Sequence, residues 1–255
     1  METQLLLAMV QGFTEFLPIS SSGHVYLIGN VISSSHGILY LIIWLHAGSL
    51  FAVLLYYHRY IWKLITGVFD NNSDVRGLLM KIALATIVSV VVVLALEYVI
   101  FSELNMAFVA WGLVLTGIAI VVSEHLYKKN KGSNFSIIHA ILVGVAQGIA
   151  AIPGISRSGA SIAYLLSSGM PRKTAVDISF LLSIPILILS LIWLCYIDDI
   201  GFVVGNTEIF VFFVSFLSSI VSIHLMRNWI IRFWIYFAPY CFVLGIVLLI
   251  YIYNS

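Results

Sequence analysis

Hydrophobic residues fill almost the whole chain, and the polar residues between them divide it into apolar segments of two kinds. Segments of the first kind are about 20 residues long, the length that a helix needs to cross a hydrocarbon core of about 30 Å. The pattern places them at 38–57, 75–100, 107–126, 176–197, 208–226 and 233–253. We therefore expect six transmembrane helices.

Segments of the second kind, 4–32 and 137–168, are interrupted in the middle by helix-breaking residues. In the first, the 13 residues from Leu5 to Leu17 would form a helix of about 20 Å, too short to span a membrane. The second is interrupted at Pro153. Irregular backbone at membrane depth is tolerated only where protein or a water-filled cavity surrounds it. Each segment is therefore predicted to be a re-entrant hairpin, in which two short helices meet at a polar loop.

An internal repeat relates the two broken segments. A shift of 136 residues superimposes Gln11–Gly23 on Gln147–Gly159, with six of 13 positions identical. The identical pairs are Gln11/Gln147, Gly12/Gly148, Ile19/Ile155, Ser20/Ser156, Ser22/Ser158 and Gly23/Gly159. Each half holds one hairpin and three spans, so the second half is inverted relative to the first. The sequence predicts a single all-α transmembrane domain over 1–255, built as an inverted-topology repeat of about 1–126 and 137–253, with a site at the repeat interface.

The charged residues predict the orientation in the membrane. With this count of spans, one side receives every Lys and Arg except Arg157, namely Arg59, Lys63, Arg76, Lys81, Lys128, Lys129, Lys131, Arg172, Lys173, Arg227 and Arg232. The other side receives both termini and the acidic residues Glu103, Asp198, Asp199 and Glu208. The positive-inside rule makes the first side cytoplasmic. The first hairpin would then enter the membrane from outside and the second from the cytoplasm.

Composition agrees with a membrane protein and excludes other classes. The chain is 62% hydrophobic and 9% charged, whereas soluble domains carry about 25% charged residues. A net charge of +1 offers no basic surface to nucleic acid. Cys195 and Cys241 lie in apolar runs and are interpreted as core residues. Gly112 and Gly117 predict a close helix contact, either within one protomer or between two, which leaves a homodimer open.

Two acidic residues near the cytoplasmic ends of spans are expected to form solvated pairs with nearby basic residues. Glu124 is paired with Lys128, which lies four residues later on the same helix face. Asp177 is expected to pair with Arg172 or Lys173.

The second polar loop, Ser156-Arg157-Ser158-Gly159, has the composition of a phosphate site. Arginine binds phosphate in a bidentate manner, and helix N-termini favour anions. A charged side chain at bilayer depth costs about 2.5–3.5 kcal/mol even on the mildest scales, so Arg157 needs an anionic partner. That partner is either Glu15, in an ion pair that only holds the repeats together, or a phosphate during turnover.

The first polar loop places a carboxylate, hydroxyls and an imidazole close together in the chain. Ser20–Ser22 can donate to phosphate oxygens, supply a nucleophile, or cap a helix. Glu15 can act as a general base, or can hold a divalent cation together with Gln11, one turn earlier. His24 can activate a serine or water, act as a nucleophile, or protonate a leaving phosphate. These residues leave open whether a serine, His24 or a metal-bound water attacks.

The two polar stretches resemble signature motifs of a known family. Gln11–His24 and Pro153–Gly159 resemble the two motifs of the bacitracin-resistance type undecaprenyl-diphosphate phosphatases, and His46–Ser49 and Ser179–Pro185 resemble further blocks of that family. The resemblance implies hydrolysis of a C55 polyprenyl diphosphate to the monophosphate carrier, for recycling of the cell-wall lipid carrier and for bacitracin resistance. It also implies a divalent cation, Mg²⁺ or Ca²⁺, and catalysis at the outer face of the bacterial plasma membrane.

The resemblance also assigns residues. Catalytic roles fall on Glu15, Ser20, Ser21, His24 and Arg157. Binding of the substrate phosphates is expected from Ser22, Gly23, Ser156, Ser158 and Gly159. The cation would be held by Glu15 and Gln11, although some members carry a glutamate at the position of Gln11, whose amide cannot act as a base. Two other hypotheses are a polyprenyl-phosphate flippase that uses the same cavity and a non-catalytic scaffold, and the grouping of Ser, His and Glu favours the hydrolase over both.

Overall fold

The computed structural model describes residues 2–32, 35–102, 105–129, 134–197 and 205–254. Within these ranges every regular element is helical, which confirms the all-α class. The α-helices are α1 (Glu2–Phe16), α2 (Ser21–Ile32), α3 (Ser35–Tyr56), α4 (His58–Phe69), α5 (Ser73–Ser102), α6 (Met106–Lys129), α7 (Ile137–Ile149), α8 (Arg157–Ser167), α9 (Arg172–Ile197), α10 (Asn206–Asn228) and α11 (Phe237–Asn254), with a 3₁₀ helix at Ile230–Tyr236. Four residues of the orientation argument lie outside the described residues: Glu103, Lys131, Asp198 and Asp199.

Several helices are long and apolar enough to cross a membrane. Among the described residues they are Ser73–Glu97 in α5, Met106–Tyr127 in α6, Arg172–Tyr196 in α9, Asn206–Asn228 in α10, and Ile231–Asn254 in the 3₁₀ helix and α11. The bent pair of α3 and α4 gives a sixth apolar stretch. The chain is therefore a multi-pass membrane protein, and the six predicted spans correspond to these five helices and α3.

Helix α4 was not predicted, because the sequence analysis places residues 58–69 in a loop. It is bent by 70° from α3, and the break lies at Tyr57. Its apolar residues recur at helical spacing on one face, at Ile61, Leu64, Ile65 and Val68. Arg59 and Lys63 lie on the opposite face of the helix. A strongly amphipathic helix at this angle to a span is typical of one that lies in the membrane interface.

Both interrupted segments are pairs of helices, as predicted. The first break is the turn between Phe16 and Ser21, and the second lies between Ile149 and Arg157. In the first pair α1 packs against α3 and α10, and in the second pair α7 packs against α5. The two loops are thus carried by different sets of long helices.

Two glycines at matching positions of the repeat allow α1 and α7 to pack closely. A Cβ atom on Gly12 would lie 2.5 Å from the carbonyl oxygen of Ser215 on α10. A Cβ atom on Gly148 would lie 2.5 Å from Cβ of Val92 on α5. Both distances are below any tolerated contact, so a side chain at either position would force the helices apart.

Serines on one face of α10 fix the position of α1. Ser219 Oγ donates to the carbonyl oxygen of Gly12 at 3.2 Å, and Ser222 Oγ donates to that of Phe13 at 2.7 Å. Both serines are buried. These bonds hold the last turns of α1, the part of the helix that carries Glu15.

The glycines of α6 contact neighbours within the protomer. A Cβ atom on Gly112 would lie 2.7 Å from the carbonyl oxygen of Pro153, in the second loop. A Cβ atom on Gly117 would lie 2.9 Å from the ring of Phe242 on α11. These glycines therefore give no support to a homodimer.

Glu124 has a partner that was not predicted. Glu124 accepts two hydrogen bonds from Arg172 on α9, at 2.6 and 2.8 Å, and the guanidinium also lies over the ring of Tyr127. The side chain of its predicted partner, Lys128, is outside the described residues. A contact between two helices, here from Arg172 Nη2 to both carboxylate oxygens, cannot be read from spacing within one helix.

The predicted pairing of Asp177 is wrong. Its carboxylate accepts hydrogen bonds from Arg227 on α10, at 2.5 and 3.0 Å, and from the Tyr57 hydroxyl at 2.6 Å. The pair joins α9, α10 and the α3–α4 break, whereas sequence neighbours suggested Arg172 or Lys173.

Candidate active site

The two interrupted segments bring Glu15 and Arg157 together. Glu15 lies in the last turn of α1 and is 7% exposed, and Arg157 is the first residue of α8. The Nη2 group of Arg157 donates to Oε1 of Glu15 at 2.5 Å. Side chains that are 142 residues apart in the chain therefore form one largely buried ion pair.

The other oxygen of Glu15 accepts two more hydrogen bonds. Gln11 Nε2, one turn earlier on α1, donates to Oε2 at 2.8 Å. Ser21 Oγ, the first residue of α2, donates to the same oxygen at 2.7 Å. Three direct donors supply the partners that a buried carboxylate requires.

Arg157 has a buried donor group without a partner in the part of the chain that the structure describes. Its Nη1 is buried and has no hydrogen-bond partner among the described residues. Buried guanidinium N–H groups are rarely left unpaired, and their preferred partners are carboxylate and phosphate oxygens. Nη1 is thus a charge-assisted donor that a bound anion can use.

The first serine of each loop caps the helix that follows. Ser20 Oγ accepts a hydrogen bond from the backbone N–H of Gly23 at 3.2 Å, and Ser156 Oγ accepts one from that of Gly159 at 3.0 Å. The backbone of Ser20 is left-handed, with φ of 67°, which is uncommon for a residue with a side chain. Both glycine N–H groups are therefore engaged in capping.

The third serine of each loop lies against the first. Ser22 Oγ is 3.3 Å from Ser20 Oγ, and Ser158 Oγ is 3.2 Å from Ser156 Oγ. Ser158 Oγ also donates to the carbonyl oxygen of Leu17 at 2.8 Å. That bond fastens the second loop to the first, and it keeps Arg157 beside Glu15.

His24 is held at both ring nitrogens. Its Nδ1 lies 2.7 Å from the carbonyl oxygen of Ser20, and its Nε2 lies 2.6 Å from the hydroxyl of Tyr240 on α11. Within the described residues no serine hydroxyl forms a hydrogen bond with His24. Tyr240 was missed by the sequence analysis, because it follows His24 by 216 residues and lies in an ordinary apolar span.

Comparison with known proteins places these residues in a family. The model of the family "Bacitracin resistance protein BacA" matches residues 4–247. Undecaprenyl-diphosphatase 2 of Halalkalibacterium halodurans is 34% identical, covering 97% of this chain and 94% of the relative. Undecaprenyl-diphosphatase 1 of Shouchella clausii is 32% identical over 97% of this chain and 95% of the relative. The undecaprenyl-diphosphatase of Methanococcus maripaludis strain C6 is 32% identical over 89% and 90%. A match of this extent, together with the convergence of Glu15, Ser21 and Arg157, means that the chain belongs to the BacA family of bacitracin resistance proteins.

Proposed function

We propose that this protein hydrolyses undecaprenyl diphosphate, a C55 polyprenyl diphosphate, to the monophosphate and inorganic phosphate. The observation that carries the proposal is the contact of Glu15 with Ser21 on one oxygen and Arg157 on the other. Family membership and the names of the relatives support the same substrate. A flippase would need to bind the anion but would have no use for a hydroxyl held by a carboxylate, so hydrolysis is favoured.

Ser21 is the proposed nucleophile, and Glu15 is its base. A hydroxyl that donates to a carboxylate is arranged for proton removal. Ser21 Oγ bonds to the terminal phosphorus while the bond from that phosphorus to the bridging oxygen breaks, and the Ser21 proton passes to Glu15. The polyprenyl monophosphate leaves with the bridging oxygen. This choice follows from geometry, since Ser21 contacts Glu15 and not His24.

Arg157 is proposed to bind the phosphate oxygens. Its Nη2 is fixed by Glu15, and its buried Nη1 is the donor without a partner in the described chain. Phosphoryl transfer depends mainly on positioning and on neutralising charge on the transferred group. The Glu15 contact therefore orients the guanidinium, and Nη1 meets the negative charge.

A second step completes the reaction. The oxygen of a water molecule bonds to phosphorus, the bond to Ser21 Oγ breaks, and Ser21 regains its proton from Glu15. His24 is proposed to take the proton of the water at Nε2, the ring nitrogen that lies against the Tyr240 hydroxyl and not against a serine. Ser20 would serve this step through its backbone carbonyl, which holds the His24 ring.

A divalent cation stays a proposal that the residues do not support by themselves. No group of three or more His, Cys, Asp and Glu converges in the part of the chain that the structure describes. Both oxygens of Glu15 are already engaged by protein donors. The site therefore does not fit a cation held by the protein alone. Mg²⁺ or Ca²⁺ would have to arrive with the diphosphate, with Glu15 and Gln11 as the nearest oxygen donors.

The finer topology also belongs to the proposal. The span count and the distribution of Lys and Arg support two re-entrant hairpins in an inverted-topology repeat. They also support termini on the outside and a site that opens to the outer face of the bacterial plasma membrane. The protomer is taken as the functional unit, because the α6 glycines face inward. A reporter that is active only in the cytoplasm, fused after Ser255, should stay inactive. An active fusion would mean that the protein has the opposite orientation in the membrane.

The decisive experiment uses purified protein and polyprenyl diphosphate labelled with ³²P at the terminal phosphate. Wild-type protein should release labelled phosphate, and acid quenching should trap label on Ser21. Ser21→Ala should abolish both signals. Absence of release by the wild-type protein, with or without Mg²⁺ or Ca²⁺, would overturn the function. Full activity of Ser21→Ala would instead overturn the nucleophile.

A further inference from the structure

The hydrogen bonds of His24 have an assignable direction. The carbonyl oxygen of Ser20 can only accept, so the Nδ1 atom that lies 2.7 Å away carries the proton. The neutral ring then presents a lone pair at Nε2, and the Tyr240 hydroxyl at 2.6 Å must be the donor. The His24 lone pair is therefore already occupied by the proton of Tyr240.

Tyr240 is held in place against His24 by the packing of its helix. The two rings are stacked, with centroids 5.8 Å apart and planes inclined by 7°. The next residue, Cys241, places its Sγ 3.6 Å from the carbonyl oxygen of Pro18 in the first loop. A Cβ atom on Gly245 would lie 2.8 Å from the carbonyl oxygen of Ala110, so α11 packs closely on α6. Helix α11 therefore forms one wall of the first loop.

The Tyr240 hydroxyl lies between the Nε2 atom of His24 and the space outside the two stacked rings. Tyr240 is 44% exposed, and its hydrogen bond with His24 lies at an exposed position, so the hydroxyl is not enclosed by protein. A phenol can donate one hydrogen bond and accept another at the same time. Any proton bound for Nε2 must therefore pass through this hydroxyl, since the lone pair accepts one proton at a time.

We propose that Tyr240 relays the proton of the attacking water to His24 when the phosphorylated Ser21 is hydrolysed. As the water oxygen bonds to phosphorus and the bond to Ser21 Oγ breaks, the water proton moves to the Tyr240 oxygen. The Tyr240 hydroxyl proton moves at the same time to His24 Nε2. Tyr240 ends neutral, and His24 ends as a cation that returns its proton to solvent. This inference rests on the proposed hydrolysis and on Ser21 as the nucleophile.

The test is Tyr240→Phe, which keeps the ring stack and removes only the hydroxyl. We expect kcat to fall by about 100-fold, at the lower end of what general base catalysis contributes, with kcat/KM unchanged, because formation of the phosphoenzyme is not affected. The labelled phosphoenzyme should accumulate at steady state, because only its hydrolysis is slowed. The matched control is Tyr251→Phe, the same change on an exposed tyrosine of the same helix, which should behave as wild type. Wild-type turnover by Tyr240→Phe would overturn the relay.

A double variant tests whether Tyr240 acts through His24. In the His24→Gln background, Tyr240→Phe should lower kcat no further, because the acceptor of the relayed proton is already gone. A fully additive loss would overturn the inference. It would mean that the hydroxyl acts on something other than His24.

A measurement without substrate separates this inference from the proposed function. Diethyl pyrocarbonate modifies unprotonated imidazole nitrogens, and the rate at His24 can be followed by mass spectrometry. Tyr240→Phe frees the Nε2 lone pair, so the rate should rise by about 3- to 10-fold, the factor for one lost hydrogen bond. An unchanged rate would overturn the contact on which the relay depends. Failure of the wild-type protein to release phosphate would overturn hydrolysis and the relay together, while a raised modification rate would still establish the contact.

Discussion

The two serine loops share a backbone geometry and differ in their chemistry. In each, the first serine caps the following helix through the glycine N–H three residues later, and the third serine lies against the first. The positions that do this are identical in the two halves: Ser20/Ser156, Ser22/Ser158 and Gly23/Gly159. What the repeat preserves is the way in which a broken segment starts its second helix.

Apart from Ser20, the groups assigned to catalysis stand where the halves do not match. Glu15 corresponds to Ala151 and Ser21 to Arg157. His24 likewise corresponds to an alanine, one residue after the second glycine. The first loop thus carries an acid, a nucleophile and an imidazole, and the second carries a cation. Matching positions of this repeat indicate fold, and mismatched positions indicate chemistry.

The largest expected effect comes from Arg157→Ala, a mismatched position. Phosphate release should fall by at least about 10³-fold, because the transferred phosphate loses its charged donor. Stability should fall by about 3–5 kcal/mol, since Glu15 would stay buried without its counter-charge. Initial rates with the labelled substrate and thermal unfolding in detergent measure the two effects.

A control removes both charges of the pair. Glu15→Gln combined with Arg157→Met should recover most of the stability and none of the activity, because no unpaired charge is left in the pocket. An Arg157→Ala protein as stable as wild type would contradict the buried ion pair. A double variant that hydrolyses the substrate would contradict the assignment of chemistry to these residues.

The next effect compares neighbouring serines of one loop. Ser21→Ala, at a mismatched position, should lower kcat by at least about 10³-fold with little change in unfolding temperature. Ser22→Ala, at a matching position, should change kcat by less than about tenfold, because Ser22 contacts the capping serine and not Glu15. Equal losses in the two variants would remove the distinction between matched and mismatched positions.

Gln11→Glu tests a matching position whose side chain contacts a catalytic residue. Gln11 Nε2 donates to Glu15, and a carboxylate there would replace a hydrogen bond by like-charge repulsion. A divalent cation relieves that repulsion, so the apparent affinity for Mg²⁺ should rise by at least about tenfold, or about 1.4 kcal/mol. Phosphate release titrated with free Mg²⁺, starting from chelated protein, measures this. An unchanged Mg²⁺ dependence would place the cation elsewhere.

The features predicted correctly from the sequence have local signals. The spans follow from apolar length, and the two breaks follow from Pro18 and Pro153. The approach of Arg157 to Glu15 was also foreseen as one of two alternatives, because a buried charge demands a partner. Local signals are therefore enough to predict the positions of the spans and to identify most of the charged groups of the site.

The features that were missed depend on contacts between distant helices. Tyr240 looks like any tyrosine of an apolar span, and only the packing of α11 on the first loop brings it to His24. Asp177 was assigned to its sequence neighbours, whereas Arg227 reaches it from α10. Helix α4 was missed for another reason, since an amphipathic interfacial helix carries the basic residues that also mark a loop.

The smallest expected effect separates the two caps themselves. Ser20 and Ser156 make the same capping bond, but φ is 67° at Ser20 and −76° at Ser156. Glycine at a cap costs only a few tenths of a kcal/mol, and it removes the strain of a left-handed backbone, about 1–2 kcal/mol. Ser20→Gly should therefore be as stable as wild type or slightly more stable.

Ser156→Gly has no strain to relieve and should lose about 1 kcal/mol through the weaker cap and the greater freedom of the unfolded chain. Under one set of conditions, the unfolding midpoint of Ser20→Gly should therefore stay level or rise, and that of Ser156→Gly should fall. Equal shifts would mean that the loops carry the same strain. In that case the difference between them would lie entirely in the side chains of Glu15, Ser21, His24 and Arg157, and not in the backbone that presents them.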